Sequence, residues 1–471
     1  METRLAEWIK DTPRGRKADE ILRSCVHCGF CLATCPTYQL LGDELDSPRG
    51  RIYQIKQVLE GAQPTREIQL HLDRCLTCRS CETTCPSGVK YGQLVDIGRA
   101  AVDEQVQRPW AERAQRWILR EAVTRPWLFG AVLKTARALK WVLPAGLRAK
   151  VGEPRPAGVL PTRAHQRRVL LLNNCVQPAM LPSIDGATAR VLDSVGVQAI
   201  VARESGCCGA IRQHLEDQEG ARRNARRNID AWWPHIETGQ VEAILINASG
   251  CGAMVKEYGH LLREDALYAD KANRVVGLTR DLAEFVPEEI ARLTGMNPSA
   301  GASVPIAGAS VPTAATAAPV PAAARPGAAA AIPTAGGWHS ARRLAFHPPC
   351  TLQHALRIRG KVESLLVALG AELVPVRDSH LCCGSAGTYS LLQPGLSQPL
   401  RAQKLACLLE HRPEVILSAN VGCIAHLQGG TGIPVLHWIE WVDEVLTNPP
   451  VHWRAGDTLR LEPMSQIGKK A

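Results

Sequence analysis

Aromatic side chains make up only 4% of this 471-residue chain, and methionine occurs five times. No run approaches the roughly 18 consecutive apolar residues that a membrane-spanning helix needs, so no helical span is expected. The opening "METRLAEWIKDTPRGRKADE" is charged and lacks the apolar stretch of a secretory leader, which suggests a reducing cytoplasmic setting. No G-x-G-x-x-G follows a strand pattern, and there is no Walker loop or nucleophile–base constellation. Neither FAD nor NAD is therefore expected on this chain. The net charge of +10 would suit nucleic acid, an anionic membrane surface or an acidic partner. Scarce aromatics and the cysteine pattern below count against nucleic acid.

Cysteine, by contrast, is abundant, with seventeen residues. "CVHCGFCLATCP" (Cys25 to Pro36) and "CLTCRSCETTCP" (Cys75 to Pro86) both read C-x2-C-x2-C-x3-C-P. This spacing holds [4Fe–4S] clusters, the fourth cysteine of each run ligating the cluster of the other. It predicts one cluster on Cys25, Cys28, Cys31 and Cys85 and a second on Cys75, Cys78, Cys81 and Cys35. Structural zinc sites draw two-plus-two ligands from separate turns and fit poorly. Between the runs, "SPRGRIYQIKQVLEG" predicts a helix with Ser47 as N-cap, Pro48 in the first turn and Gly61 as the stop. His27, inside the first run, reads as an exposed loop residue.

The remainder divides by composition. Residues 1–98 form the two-cluster, mainly helical ferredoxin-type domain, and 99–165 a helical connector. In the connector Lys134, Arg137 and Lys140 oppose Leu128, Phe129, Val132, Leu133, Ala136 and Leu139. Such a basic amphipathic helix suits an anionic membrane surface or a packed partner. Residues 166–295 and 339–471 are copies of one another, separated by an Ala/Pro-rich linker at 296–338 expected to be disordered. "RRVLLLNNC" matches "RRLAFHPPC", and "SGCCGA" matches "HLCCGSAG". Thirty-one residues separate Cys175 from Cys207 and Cys350 from Cys382, so the offset is 175 at both ends. It is 172 between Cys251 and Cys423, and this near-constancy indicates a duplicated α/β unit with a largely parallel sheet. The expected fold class is a multidomain α+β and α/β chain.

Each copy gathers four cysteines: Cys175, Cys207, Cys208 and Cys251, then Cys350, Cys382, Cys383 and Cys423. Cys407 is left over as a buried helix residue. The pattern resembles the cysteine-rich "CCG" domain of heterodisulfide reductase subunits and respiratory dehydrogenase subunits. That family closes its motif with C-x-x-C, where this chain has Met254 and His426. His426 is still a candidate ligand. The halves are left with two readings, a metal or further cluster, or thiol sites without metal.

"ILRSCVHCGFCLATCPTYQLLGDELDSPRGRIYQIKQVLEG", with "HLDRCLTCRSCETTCPSGVKYGQLVDIGR", resembles the iron–sulfur subunit family of glycolate oxidase (glycolate dehydrogenase). The resemblance implies a partnership with FAD-binding subunits that oxidise glycolate and similar 2-hydroxy acids. Electrons would pass through the clusters to a quinone-type acceptor, at the inner face of the cytoplasmic membrane. The corresponding subunits of anaerobic glycerol-3-phosphate or lactate dehydrogenases are alternatives, because the substrate is chosen on another chain. A heterodisulfide-reductase-like thiol/disulfide enzyme is a third.

Overall fold

The computed structural model describes residues 1–143, 151–295 and 343–448. The 296–338 linker and the end of the second copy lie outside the described residues. In the N-terminal part, α1 (Pro13–Ser24), α2 (Pro48–Leu59) and α3 (Tyr91–Gln105) pack together. The Ser47 side chain caps α2 by accepting from the Gly50 N–H at 2.9 Å. Ile52, Ile55, Val58 and Leu59 face Leu94, Val95, Ala101 and Val102 of α3 in one core, joined by Cys25, Cys75 and Cys81. The two cysteine loops are thus sewn into a helical core.

Two connector helices that touch each other follow, α4 (Trp110–Val123) and α5 (Pro126–Ala138). Beyond a short turn the helical reading ends, since residues 151–166 carry almost no regular structure. Their prolines forbid a continued helix. Arg155 pins this strap to Glu440 at 2.9 Å.

The duplicated copies each form a four-stranded parallel sheet. The first contains β1 (Arg167–Leu171), β2 (Val197–Ile200), β3 (Ala243–Ile246) and β4 (Thr279–Asp281), in the order 2-1-3-4. The second contains β5 (Arg343–His347), β6 (Glu372–Leu373), β7 (Val415–Ser418) and β8 (Val435–His437), in the order 6-5-7-8. The inner strands β3 and β7 are buried throughout, as a sheet covered on both faces requires.

Each half supplies a helix layer for the other. Helix α6 (Pro182–Ser194) of the first packs on α7 (Trp438–Thr447) of the second. Helices Leu282–Thr294 and Lys361–Ala368 repeat the arrangement. One apolar core runs through both sheets, from Val169 and Leu245 to Leu417 and Trp438. Arg190 to Asp443 (2.7 Å) and Ser183 to Glu440 (2.6 Å) close its edge.

Candidate functional site

The two N-terminal cysteine loops share one backbone conformation. His27 and Thr77, two residues after the first cysteine of each run, have φ of 56° and 52°. Gly29 and Arg79, two further on, have φ of 84° and 59°. Side-chain-bearing residues held in the left-handed region cost about 1–3 kcal/mol each. Here the strain curls each loop around its thiols.

Cys25, Cys28, Cys31 and Cys85 line one pocket of about 30 Å3, which Cys81 also borders. Cys35, Cys75, Cys78 and Cys81 line a second, of about 20 Å3. Each space is therefore walled by three cysteines of one run and the last of the other. Burial, reinforced by the neighbouring thiols, pushes the Cys31 thiol up to about 12. Four thiols that converge on one space can exchange their protons for a cationic core, so the donor set fits an iron–sulfur cluster in each space.

Polar groups surround the second space. Tyr91 donates to Cys75 Sγ at 3.7 Å, and Thr37 Oγ1 lies 3.2 Å from Cys35 Sγ. Arg51, 1% exposed, reaches Thr37 at 3.2 Å and pairs with the buried Asp46 at 3.0 Å. Asp46 also meets Arg74 at 2.9 Å. Positive charge and hydroxyl donors aimed at cluster sulfurs raise a reduction potential. These residues lie in the stretches that carry the family resemblance, but the cysteine spacing itself gave no signal for their roles. His27 is half-buried rather than exposed, packed edge-on to Tyr53 with ring centroids 6.2 Å apart.

The second space abuts the duplicated region. Leu76 shares a buried cluster with Cys350, Cys382, Tyr389 and Leu400, and Cys78 packs against it. Tyr389 donates to the Arg74 carbonyl at 3.1 Å, Thr83 meets His354 at 2.8 Å, and Arg79 pairs with Glu257 at 2.6 Å. The first space faces the other way. Beside it Cys28 is exposed, flanked by Val26 and Phe30 at 67% and 61% exposure.

Within each half the cysteines collect at the C-terminal edge of the parallel sheet. Cys175 follows β1 and Cys251 follows β3, flanking the point where strand order reverses, and Cys350 and Cys423 do so beside β5 and β7. Open α/β sheets bind ligands at that point. Cys207 and Cys382 each accept the N–H of the glycine two residues on, at 3.5 and 3.4 Å. Those glycines, Gly209 and Gly384, have φ of 96° and 86°. A Cβ on Gly384 would sit 2.8 Å from the Ser397 carbonyl oxygen, so the close approach is to the following helix. Met254 is buried in the apolar core with Trp232 and Val255, and Cys407 is buried on its helix. His426 Nε2 lies 3.3 Å from Ser397 Oγ.

A cavity of about 570 Å3 opens where the three parts meet. Its walls include Cys75, Leu76, Cys175, Cys207, Cys208, Cys251, Cys350, Cys382, Cys423 and His426, closed by Phe129, Val132 and Leu133 of α5. Helix α5 thus borders the cavity through Phe129, Val132, Leu133 and Ala136, while Val132 and Leu139 also remain open to solvent. Arg137, on its other side, donates to the Gly152 and Ala179 carbonyls.

The fold and its cysteine sites define an electron-transfer iron–sulfur protein. Residues 21–89 match the 4Fe-4S dicluster domain, and 169–256 and 344–428 match the cysteine-rich domain. The glycolate oxidase iron-sulfur subunit of Escherichia coli K12 is 50% identical over 447 residues, covering 95% of this chain and 99% of the relative. The probable glycolate oxidase iron-sulfur subunit of Bacillus subtilis 168 is 27% identical, covering 90% and 92%. Lactate utilization protein A of the same organism is 24% identical and covers 58% of this chain. The chain belongs to the glycolate oxidase iron–sulfur subunit family.

Proposed function

We propose that this chain is the electron-carrying subunit of a complex that oxidises glycolate to glyoxylate on partner FAD-binding subunits and delivers the electrons to a quinone-type acceptor. Cys25, Cys28, Cys31 and Cys85 hold one [4Fe–4S] cluster, and Cys35, Cys75, Cys78 and Cys81 the other. A bound [4Fe–4S] cluster takes up and gives back one electron at a time. The observation that carries the reading is polarity: one four-cysteine space lies beside an exposed apolar loop, the other against a large internal cavity. Val26, Cys28 and Phe30 offer the flavoprotein its docking face. The cavity beside Cys75, with apolar walls from α5, suits a quinone ring. Trp110, Trp117, Trp127 and Trp141, exposed at 58–82%, lie on α4, α5 and the turn after them, where they can rest on the inner membrane surface.

The substrate is chosen on the partner, so glycolate rests on family membership, and lactate is the second candidate because of the lactate-utilisation relatives. The test is the reconstituted complex with Cys28→Ser or Cys78→Ser in this chain. Flavin reduction by glycolate should survive in the partner, while reduction of a quinone analogue should fall at least tenfold. Full quinone reduction by both variants would overturn the reading.

A further inference from the structure

The second cysteine-rich half holds a set of donors that the electron-carrying role leaves unused. His347 ends β5, Cys383 lies in the loop after β6, and Cys423 lies in the helix Val421–Gln428 after β7. One donor atom from each falls within 4.8 Å of the other two. All three residues are buried, and His347 is only 1% exposed. Neither ring nitrogen of His347 has a hydrogen-bond partner. An unpaired buried polar atom costs on the order of 1–3 kcal/mol, and native structures keep few of them without a reason. Register places the ring: His347 is opposite Ser418 at the C-terminal end of the inner strand pair, beside the reversal of strand order.

The duplication provides an internal control. At the offset of 175, Leu172 stands where His347 does, while Cys208 matches Cys383. Cys251 matches Cys423 at the offset of 172. Leu172 is 2% exposed in the apolar core beside Leu170 and Ile246. The scaffold is therefore satisfied by a leucine at this position, and the fold itself does not require an imidazole. One half has both thiols and no imidazole; the other has all three donors.

We propose that His347, Cys383 and Cys423 bind one mononuclear divalent ion of the zinc class. One imidazole with two thiolates is a borderline-soft set that selects zinc, and three protein ligands leave a fourth tetrahedral position. On binding, the two thiols release one proton each. The two thiolates then cancel the charge of the ion, giving a neutral site suited to burial. Cys423 also lines the central cavity, whereas His347 and Cys383 lie behind its wall. The ion would tie the end of β5, the Cys382–Cys383 loop and the helix after β7 into one rigid wall. The proposal is independent of which acceptor the cavity takes.

The test is elemental analysis of the full chain, purified without oxygen, for iron, acid-labile sulfide and zinc. The expected result is roughly eight iron and eight sulfide per chain with about one zinc. His347→Leu, the residue of the other half, should lose the zinc and keep the iron. Should that variant fail to fold, unaltered protein produced in cobalt medium decides the matter. Thiolate-to-cobalt charge-transfer bands with the ligand-field bands of a four-coordinate ion support the site, and their absence overturns it. Zinc retained in His347→Leu overturns it as well. Roughly twelve iron and twelve sulfide would make these donors part of a third cluster instead.

Discussion

Arg51 shows how much one side chain can hold. Its guanidinium is sealed in the dicluster domain, bonded to Asp46, to Thr37 and, at 2.7 Å, to the His71 carbonyl. Removing one partner of a buried pair leaves the other uncompensated, at about 3–5 kcal/mol. Arg74 still reaches Asp46, so Arg51→Met should cost the lower part of that range, seen as a lower urea midpoint for the cluster-loaded protein. Asp281 supplies a pH signature. It caps the helix Leu282–Thr294 through the Ala283 N–H at 2.9 Å, while its other oxygen has no partner. Burial, with Glu284 nearby adding to it, pushes its carboxyl up from 3.8 to about 7. The folded state thus holds this proton more tightly than the unfolded chain does. The resulting stability is complete below pH 4 and is lost as pH rises through 7. Asp281→Asn keeps a competent cap and removes the slope. Relative to the unaltered protein it should gain about 2 kcal/mol between pH 5 and 8, measured by denaturant unfolding at each pH.

At the level of elements, Gly384 carries the clearest demand. It combines a left-handed φ with a blocked Cβ position against the Ser397 backbone. Gly384→Ala should destabilise by at least 1–3 kcal/mol from the backbone alone, read as a lower thermal midpoint with displaced Cys382 and Cys383. Much of this level was legible beforehand. Ser47, Pro48 and Gly61 bracket α2 because caps act locally, and matched motifs at a near-constant offset pointed to two sheets of the same kind. The rest depended on contacts between distant segments. The α5 face reads as a surface-seeking amphipathic stripe until part of it is found bordering the cavity that the cysteines of both halves also line. His347 lies three residues before a conspicuous cysteine, yet only the fold brings it to Cys383 and Cys423. Comparison with Leu172 was the available signal, and it takes on meaning once both positions are known to be buried.

For the whole molecule, polarity follows from the order of parts: exposed loop, first cysteine space, second cysteine space, cavity. The mutual helix layers of the two sheets have a further consequence. Among the described residues, the helix contacts that join the halves, α6 on α7 and Leu282–Thr294 on Lys361–Ala368, lie on either side of 296–342. Co-expression of residues 1–295 and 343–471 as two polypeptides should yield a one-to-one complex that co-purifies through a tag on either piece. Recovery of either piece alone as a folded monomer would contradict the shared core. A one-to-one complex of that kind would make the peptide bonds between the two copies dispensable to the assembled protein, so that a single reading frame and a pair of adjacent genes could encode the same machine.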